Sequence, residues 1–371
     1  MIELQKREDC CGCTGCAAVC PHEALRMEAD GMGFRYPVVD ASRCVDCGLC
    51  ERVCAFRPVR EKELPLAEAI RFPDFLDGSQ SGGLGYALMR KAVLEGYVVY
   101  GAALDEDFVV RHRRVETLDG LAPLRLSKYV QSDMEGIPQR VLTDLKAGRQ
   151  VLFTGTPCQC AGIGSLGARY RDRLLLADIL CHGVPAPAVW KDYLAWAAQG
   201  RPLTGVLFRD PSLGWHEHKE TLLFGERREV RDDYTFLFYR HLMLRPSCSA
   251  CPFASVHRPS DLTLADCWGV EKALPGFADD NRGCSLLLVC TSAGKAFAAA
   301  FPDACARTEV DIRKVMQRNL QHPTRPSRYA KSFENAYLRK GFAFVQRHYG
   351  PRAFNYKLEQ WVWSVKKRFR R

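Results

Sequence analysis

Several familiar features are missing from this 371-residue chain, and each absence closes a door. The opening stretch MIELQKREDC has no apolar run of the kind a secretory signal carries, so export is not expected. No apolar stretch approaches the ~18 residues that cross a bilayer, so a membrane-spanning chain is not expected either. Nothing matches G-x4-G-K-[ST], which leaves no P-loop. Acidic residues are outnumbered, 43 Asp and Glu against 53 Lys and Arg, for a formal net charge of +10. Part of that excess falls in residues 361–371, WVWSVKKRFRR. This basic, aromatic stretch suits peripheral contact with an anionic membrane or partner, or an ordinary solvated helix end. Net charge alone does not point to nucleic acid.

What is abundant is cysteine, 18 in all. Without an export signal, so many thiols fit a reducing cytoplasm and metal ligation. The length allows two or three domains with ample core. Residues 10–54 hold two runs of the same spacing, C-x2-C-x2-C-x3-C: Cys10, Cys13, Cys16 and Cys20, then Cys44, Cys47, Cys50 and Cys54. Pro21 follows the first run, as in bacterial ferredoxins, whereas Ala55 follows the second. Three closely spaced thiolates wrap three corners of a [4Fe–4S] cube, and the fourth comes from the other run. The expected sets are therefore Cys10, Cys13, Cys16 and Cys54 for one cluster, and Cys44, Cys47, Cys50 and Cys20 for the other. A third cysteine at the same interval over-fills a tetrahedral zinc site. Cys11 falls outside the pattern and reads as a bystander.

Beyond a linker expected over residues 57–78, SQSGG (79–83) precedes a helical pattern over 84–95, with Ser79 or Ser81 as its cap. Glycines at a helix start suit an anion such as phosphate. Strands are expected at 97–104 and 108–115, then a helix at 137–147, a strand at 150–154 and a helix at 165–173. A strand at 174–180 completes a βαβ unit, so the sheet is partly parallel. Ligands gather at the carboxyl ends of such strands, where Cys158 and Cys181 both fall. The glycines Gly162, Gly164 and Gly167 match G-x-G-x-x-G, but they stand too far past the strand for a dinucleotide fingerprint. Further strands are expected at 203–208, 221–230 and 286–291, and helices at 233–243, 294–304 and 333–349. Outside the first domain nine cysteines remain. Cys158, Cys181, Cys248 and Cys251 stand in polar turns, where they suit a third [4Fe–4S] cluster, a zinc site, a redox thiol pair or separate thiols.

The stretches SQSGG (79–83), SKYVQS (127–132), TGTPCQ (154–159), CHGVP (181–185), RPSCSACPF (245–253) and DLTLADCWG (261–269) resemble, in the same order, those of the coenzyme F420 hydrogenase/dehydrogenase beta-subunit family. The likeness runs over about residues 78–290. It implies a bound FAD and a core iron–sulfur cluster with Cys158, Cys181, Cys248 and Cys251 as ligands. It also implies that Ser81, Gly82, Gly83, Ser127, Lys128, Gln131, Thr154, Gly155 and Thr156 lie near the flavin. Cys267 departs from the family, where an aromatic residue is usual, and is a spare candidate ligand.

The expected fold class is α+β and α/β. A ferredoxin-like two-cluster domain (1–56) and a linker (57–78) precede a mixed α/β flavin- and cluster-binding catalytic domain (79–330) and a helical basic tail (331–371). The expected function is that of an iron–sulfur flavoprotein oxidoreductase. It would pass electrons from a redox donor protein, such as ferredoxin or a hydrogenase or dehydrogenase subunit, through [4Fe–4S] clusters to FAD and a small two-electron acceptor, coenzyme F420 or another molecule. His182 and Lys128 are the candidate catalytic groups, and Trp215 and His216 candidates for the substrate side. Two rivals stand beside it: a non-catalytic electron-transfer subunit of a hydrogenase or formate dehydrogenase, and a cluster-bearing interaction protein without flavin.

Overall fold

The computed structural model describes residues 2, 4–59, 61, 63–278, 280–301, 305–354 and 356. The basic stretch 361–371 lies outside them, and so does its expected membrane contact. Among the described residues no helix is long and apolar enough to cross a membrane.

The N-terminal module pairs two short helices, α1 (Gly15–Val19) and α2 (Leu49–Val53), with an antiparallel hairpin between them, β1 (Leu25–Ala29) and β2 (Arg35–Val39). Each helix begins at a left-handed residue, Thr14 (φ 62°) and Gly48 (φ 68°), where the chain leaves a cysteine loop. The next strand, β3 (Leu66–Arg71), falls in the stretch expected to be a linker. It is interior to the main sheet, paired on both sides, so the connector is shorter than 57–78.

From there α3 (Leu84–Leu94), β4 (Val98–Leu104), β5 (Val110–Val115), α4 (Ile137–Lys146), β6 (Val151–Gly155), α5 (Pro157–Leu166) and β7 (Leu174–Ile179) follow. Two corrections stand out. Gly83, left-handed at φ 81°, occupies the N-cap of α3, and Ser81 instead donates to the Cys284 carbonyl at 2.8 Å. The helix expected at 165–173 begins at Pro157, directly after β6. Thr156 and Gln159 form a reciprocal capping box there, with Pro157 at the first helical position. Gly162, Gly164 and Leu166 are therefore helical, and no glycine-rich loop exists.

After α6 (Pro187–Ala198) a small sheet of β8 (Gly205–Leu207), β9 (Glu220–Phe224) and β10 (Arg227–Arg231) precedes α7 (Asp233–Tyr239). Then come β11 (Leu262–Asp266), α8 (Val270–Ala273), β12 (Ser285–Val289), α9 (Ser292–Ala299), β13 (Ala306–Glu309) and α10 (Ala330–Tyr349). The main sheet has the order β13-β3-β12-β11-β7-β6-β4-β5. Neighbours β11, β7, β6 and β4 run parallel, while β5, β12 and β13 run against their partners. Its central strands are covered on both faces: Leu152 and Leu175 belong to one buried cluster, and Val151, Phe153, Leu174 and Leu176 to the opposite one. That double burial explains why these strands read as continuous apolar runs.

A further core fixes the N-terminal module to the rest. Met32 and Phe34, from the β1–β2 turn, are buried with Trp190, Tyr193, Tyr234 and Phe333. Phe34 is 1% exposed, and its burial contributes about 1.5–3 kcal/mol. The Ala188 amide donates to Met32 O at 3.1 Å, and Arg7 pairs with Glu334 of α10 at 2.7 Å. Far from being a loose tail, α10 buries Phe333, Tyr337, Phe342 and Val345.

Candidate metal centre

Parallel pairing brings the carboxyl ends of β4, β6, β7 and β11 to one edge of the sheet, and the candidate chemistry collects there. Cys158 lies in the first turn of α5, just past β6. Cys181 follows β7. Cys248 and Cys251 come from the loop ahead of β11. These cysteines, from separate segments, line one cavity with Cys11, Pro157, Val184, Arg245, Phe253 and Arg258. Burial raises the Cys181 thiol well above its usual range, and the Cys248 and Cys158 sulfurs add to it. Burial likewise pushes Cys248 up to about 12 and Cys251 up to about 11, each with Cys158 as a further cause. The four sulfurs thus sense one another's charge, as ligands of one anionic group would. Among the described residues no three His, Cys, Asp or Glu side chains stand close enough to hold a single metal ion. The thiolates of a cubane bind four different irons and stand wider apart.

The loop carrying Cys248 and Cys251 is anchored by Arg258, which is fully buried. Its Nη2 meets Asp178 Oδ1 on β7 at 2.8 Å and its Nη1 donates to Phe253 O at 2.7 Å. Removing one partner of such a buried pair strands the other, at a cost of about 3–5 kcal/mol.

The first cysteine run packs against this cavity. Cys11 is buried in its wall, not set aside as expected. Its thiol stays protonated and hydrogen-bonds toward Cys13 and Cys158. That bond is the leading cause that lowers Cys13 to about 7, and it also lowers Cys158. Gly162 makes the approach feasible, since a Cβ there would stand 2.9 Å from both Cβ and Sγ of Cys13. Phe56, just beyond the second run, meets Phe253 edge-on at 6.0 Å. Cys16 is raised by burial and then by Cys13, Cys10 and Cys54, the crossed grouping expected from spacing. Cys20, Cys44, Cys47 and Cys50 line a second, more open cavity with Ala24, Leu25, Val39 and Val45.

The residues expected near a flavin share the sheet edge but differ in availability. A Cβ on Gly82 would stand 2.3 Å from Ile70 O, so chain packing accounts for that glycine. Gln131 is committed to the module boundary, donating to Cys11 O and accepting from Arg245 Nη1, both at 2.9 Å. Thr154 Oγ1 donates to Tyr100 O, and Thr156 Oγ1 lies 3.2 Å from Cys158 Sγ. Gly155 closes β6, and Ser127 hydrogen-bonds Tyr129. Lys128 differs from the others: Nζ donates to Arg125 O at 2.6 Å, and burial lowers its pKa to about 7.

His112 was not apparent from sequence. Its Nε2–H donates to Thr154 O at 3.0 Å, so its Nδ1 accepts from Ser132 Oγ at 2.9 Å, and Ser132 Oγ in turn accepts from Gln159. The ring stacks on Phe153 at 5.1 Å, and burial lowers its pKa to about 4. This chain of hydrogen bonds ties SKYVQS to TGTPCQ. Burial also lowers His182, whose carbonyl accepts from Thr324. Trp215 is buried, donates to Asp266 at 2.8 Å and stacks on Trp268, which makes it an anchor. His216 is exposed beside Glu271. Cys267 is buried against Cys284, outside the four-cysteine cavity.

Residues 148–314 match the family described as the C terminus of the coenzyme F420 hydrogenase/dehydrogenase beta subunit, and residues 9–57 match the 4Fe-4S dicluster domain. The chain joins a 4Fe-4S dicluster domain to a domain of that beta-subunit family. The beta-subunit match contains all four cavity cysteines, whereas SQSGG and SKYVQS lie ahead of it. No curated protein matches. Thirteen chains of solved structures do. One, from "Xenon derivatization of the F420-reducing [NiFe] hydrogenase complex from Methanosarcina barkeri", is 16% identical with a TM-score of 0.48, covering 75% of this chain and 95% of that one.

Proposed function

We propose that this beta-subunit-like chain is an iron–sulfur flavoprotein that carries electrons from an external one-electron donor to a two-electron acceptor. Cys10, Cys13, Cys16 and Cys54 hold an inner [4Fe–4S] cluster. Cys20, Cys44, Cys47 and Cys50 hold an outer one, and Cys158, Cys181, Cys248 and Cys251 a core one. The observation that carries this reading is the convergence of those last four on one cavity whose wall includes Cys11 of the first run. An all-thiol donor set that is buried and mutually repelling suits an iron–sulfur cube.

FAD is the expected partner of the core cluster. Lys128 fits it: a buried ammonium with a backbone carbonyl as partner and, among the described residues, no carboxylate is suited to an anionic ligand. Ser127, Gly155 and Thr156 share its surroundings. Bound there, FAD takes electrons singly and gives them as a pair. Lys128 supplies positive charge, and the His112–Ser132–Gln159 chain holds the strand end in place. Coenzyme F420 or another small molecule is the acceptor.

Iron, acid-labile sulfide and flavin per chain after anaerobic purification test this. About twelve irons with one FAD are expected. About eight irons without flavin would overturn both the core cluster and the flavin. A second reading, an electron-transfer subunit that works only within a complex, draws on the beta-subunit name of the matched family. Acceptor reduction by the isolated chain separates the two.

A further inference from the structure

Arg245 is 1% exposed. Its Nε donates to Cys10 O at 2.8 Å and its Nη1 to Gln131 Oε1 at 2.9 Å. Its Nη2 donates to Arg35 O at 2.8 Å and, at 3.7 Å, to the sulfur of Cys10. The guanidinium lies 4.4 Å from the centre of the Tyr36 ring and 5.4 Å from that of Phe34. Three oxygens, one sulfur and two rings surround it, and among the described residues no carboxylate pairs with it. A buried cation in that state is costly unless something anionic stands nearby. The group within reach is the set of thiolates to which Cys10 belongs. Arg245 also lines the cavity of Cys158, Cys181, Cys248 and Cys251, so its charge is shared between the two sites.

The outer set is surrounded differently. Its cavity is lined by His22, Ala24, Leu25, Val39, Val45 and Asp46 besides its own loop, with no Arg or Lys. Arg52 approaches Gly48 but is exposed, so water screens its charge. Cys47 is exposed too.

A reduced cluster carries one more negative charge than an oxidised one. A buried cation, and a donor aimed at a ligand sulfur, both favour the reduced form. Solvent acts in the same sense at the outer set, but a full charge held in a dry site close to the ligands outweighs it. We propose that Arg245 lifts the potential of the inner cluster above that of the outer one, so that electrons arriving at exposed Cys47 run inward. In that step the outer cluster loses one electron and the inner gains it, with no bond made or broken. The electron comes from a low-potential one-electron donor protein, or from dithionite in the test. This inference rests on the ligand sets proposed above and does not require the flavin.

The test is a redox titration of the full chain followed by electron paramagnetic resonance, in wild type, Arg245→Gln and Arg245→Lys. Cys47→Ser identifies the outer signal. In wild type the inner signal is expected to reduce at the higher potential. In Arg245→Gln its reduced-to-oxidised ratio at fixed potential should fall at least tenfold, which is about 59 mV for one electron. The outer signal should not move, and Arg245→Lys, which keeps the charge, should shift the inner one far less. The proposal is overturned if the wild-type inner signal reduces at or below the outer one. It is equally overturned if Arg245→Gln moves neither signal or both alike, or if Arg245→Lys moves the inner signal as far. Should Arg245→Gln lose its cluster, the wild-type order and Arg245→Lys decide. Wrong ligand sets would show separately, as a Cys47→Ser change in the inner signal.

Discussion

The two cysteine runs are identical in spacing and nearly identical in backbone, yet they live in different surroundings. Gly12 and Thr14 in the first loop are left-handed, and so are Asp46 and Gly48 at the matching positions of the second. The loop geometry is therefore set by the need to wrap a cube, and even Thr and Asp are held in a conformation that L-residues avoid. The side chains between the ligands diverge. Cys11 is buried against Cys158, whereas Val45, its counterpart, is 60% exposed. The first loop touches Arg245, Gln131 and Gly162 of the core. The second opens on the surface. Spacing decides what is bound, and neighbours decide how each cluster communicates.

That contrast can be broken from the inside. Phe34→Ala removes a buried ring from the shared core beneath Arg245 and is expected to cost about 3–5 kcal/mol. Denaturant unfolding would show the loss, and the inner signal should change before the outer one. Gly162→Ala places a Cβ 2.9 Å from Cys13 and should cost about 1–3 kcal/mol by overpacking. Its spectroscopic effect should be confined to the inner cluster, and an altered outer signal would refute the packing assignment.

The sheet edge offers a pH test. His112 is buried neutral, with its pKa lowered to about 4 from an ordinary 6.5. Its contribution to stability is present above pH 6.5 and is lost as pH falls toward 4, because the unfolded chain takes up a proton that the folded one refuses. The loss should be about 1–2 kcal/mol across that window, and His112→Gln should flatten it. Midpoints that run parallel in the two proteins would contradict the assignment. The smallest effect is expected outside: Val45→Lys should change stability by less than about 0.5 kcal/mol and leave the inner signal unmoved.

Some of this was legible in the sequence. The crossed ligand sets followed from spacing alone, and the parallel sheet followed from apolar runs punctuated by turns. The start of α5 was written there too, as the Thr156-x-x-Gln159 box with Pro157, but the glycines downstream drew attention away from it. β3 was hidden because Pro65 and Pro73 frame it like a linker and because Glu68 sits in its middle. That carboxylate is tolerated because Arg307 on β13 pairs with it at 2.7 Å. Arg245, Cys11 and His112 could not be read from sequence. Each draws its meaning from partners more than forty positions away, such as Cys10, Cys158 and Thr154.

The central claim is that the inner cluster and a core cluster lie side by side. Electron paramagnetic resonance of the fully reduced chain, compared with Cys248→Ser, tests it most directly. The account expects the inner signal of the wild type to be broadened or split by a neighbouring spin, and Cys248→Ser to return it to an isolated spectrum. An inner signal that is already isolated in the wild type, or that Cys248→Ser leaves unchanged, would contradict it.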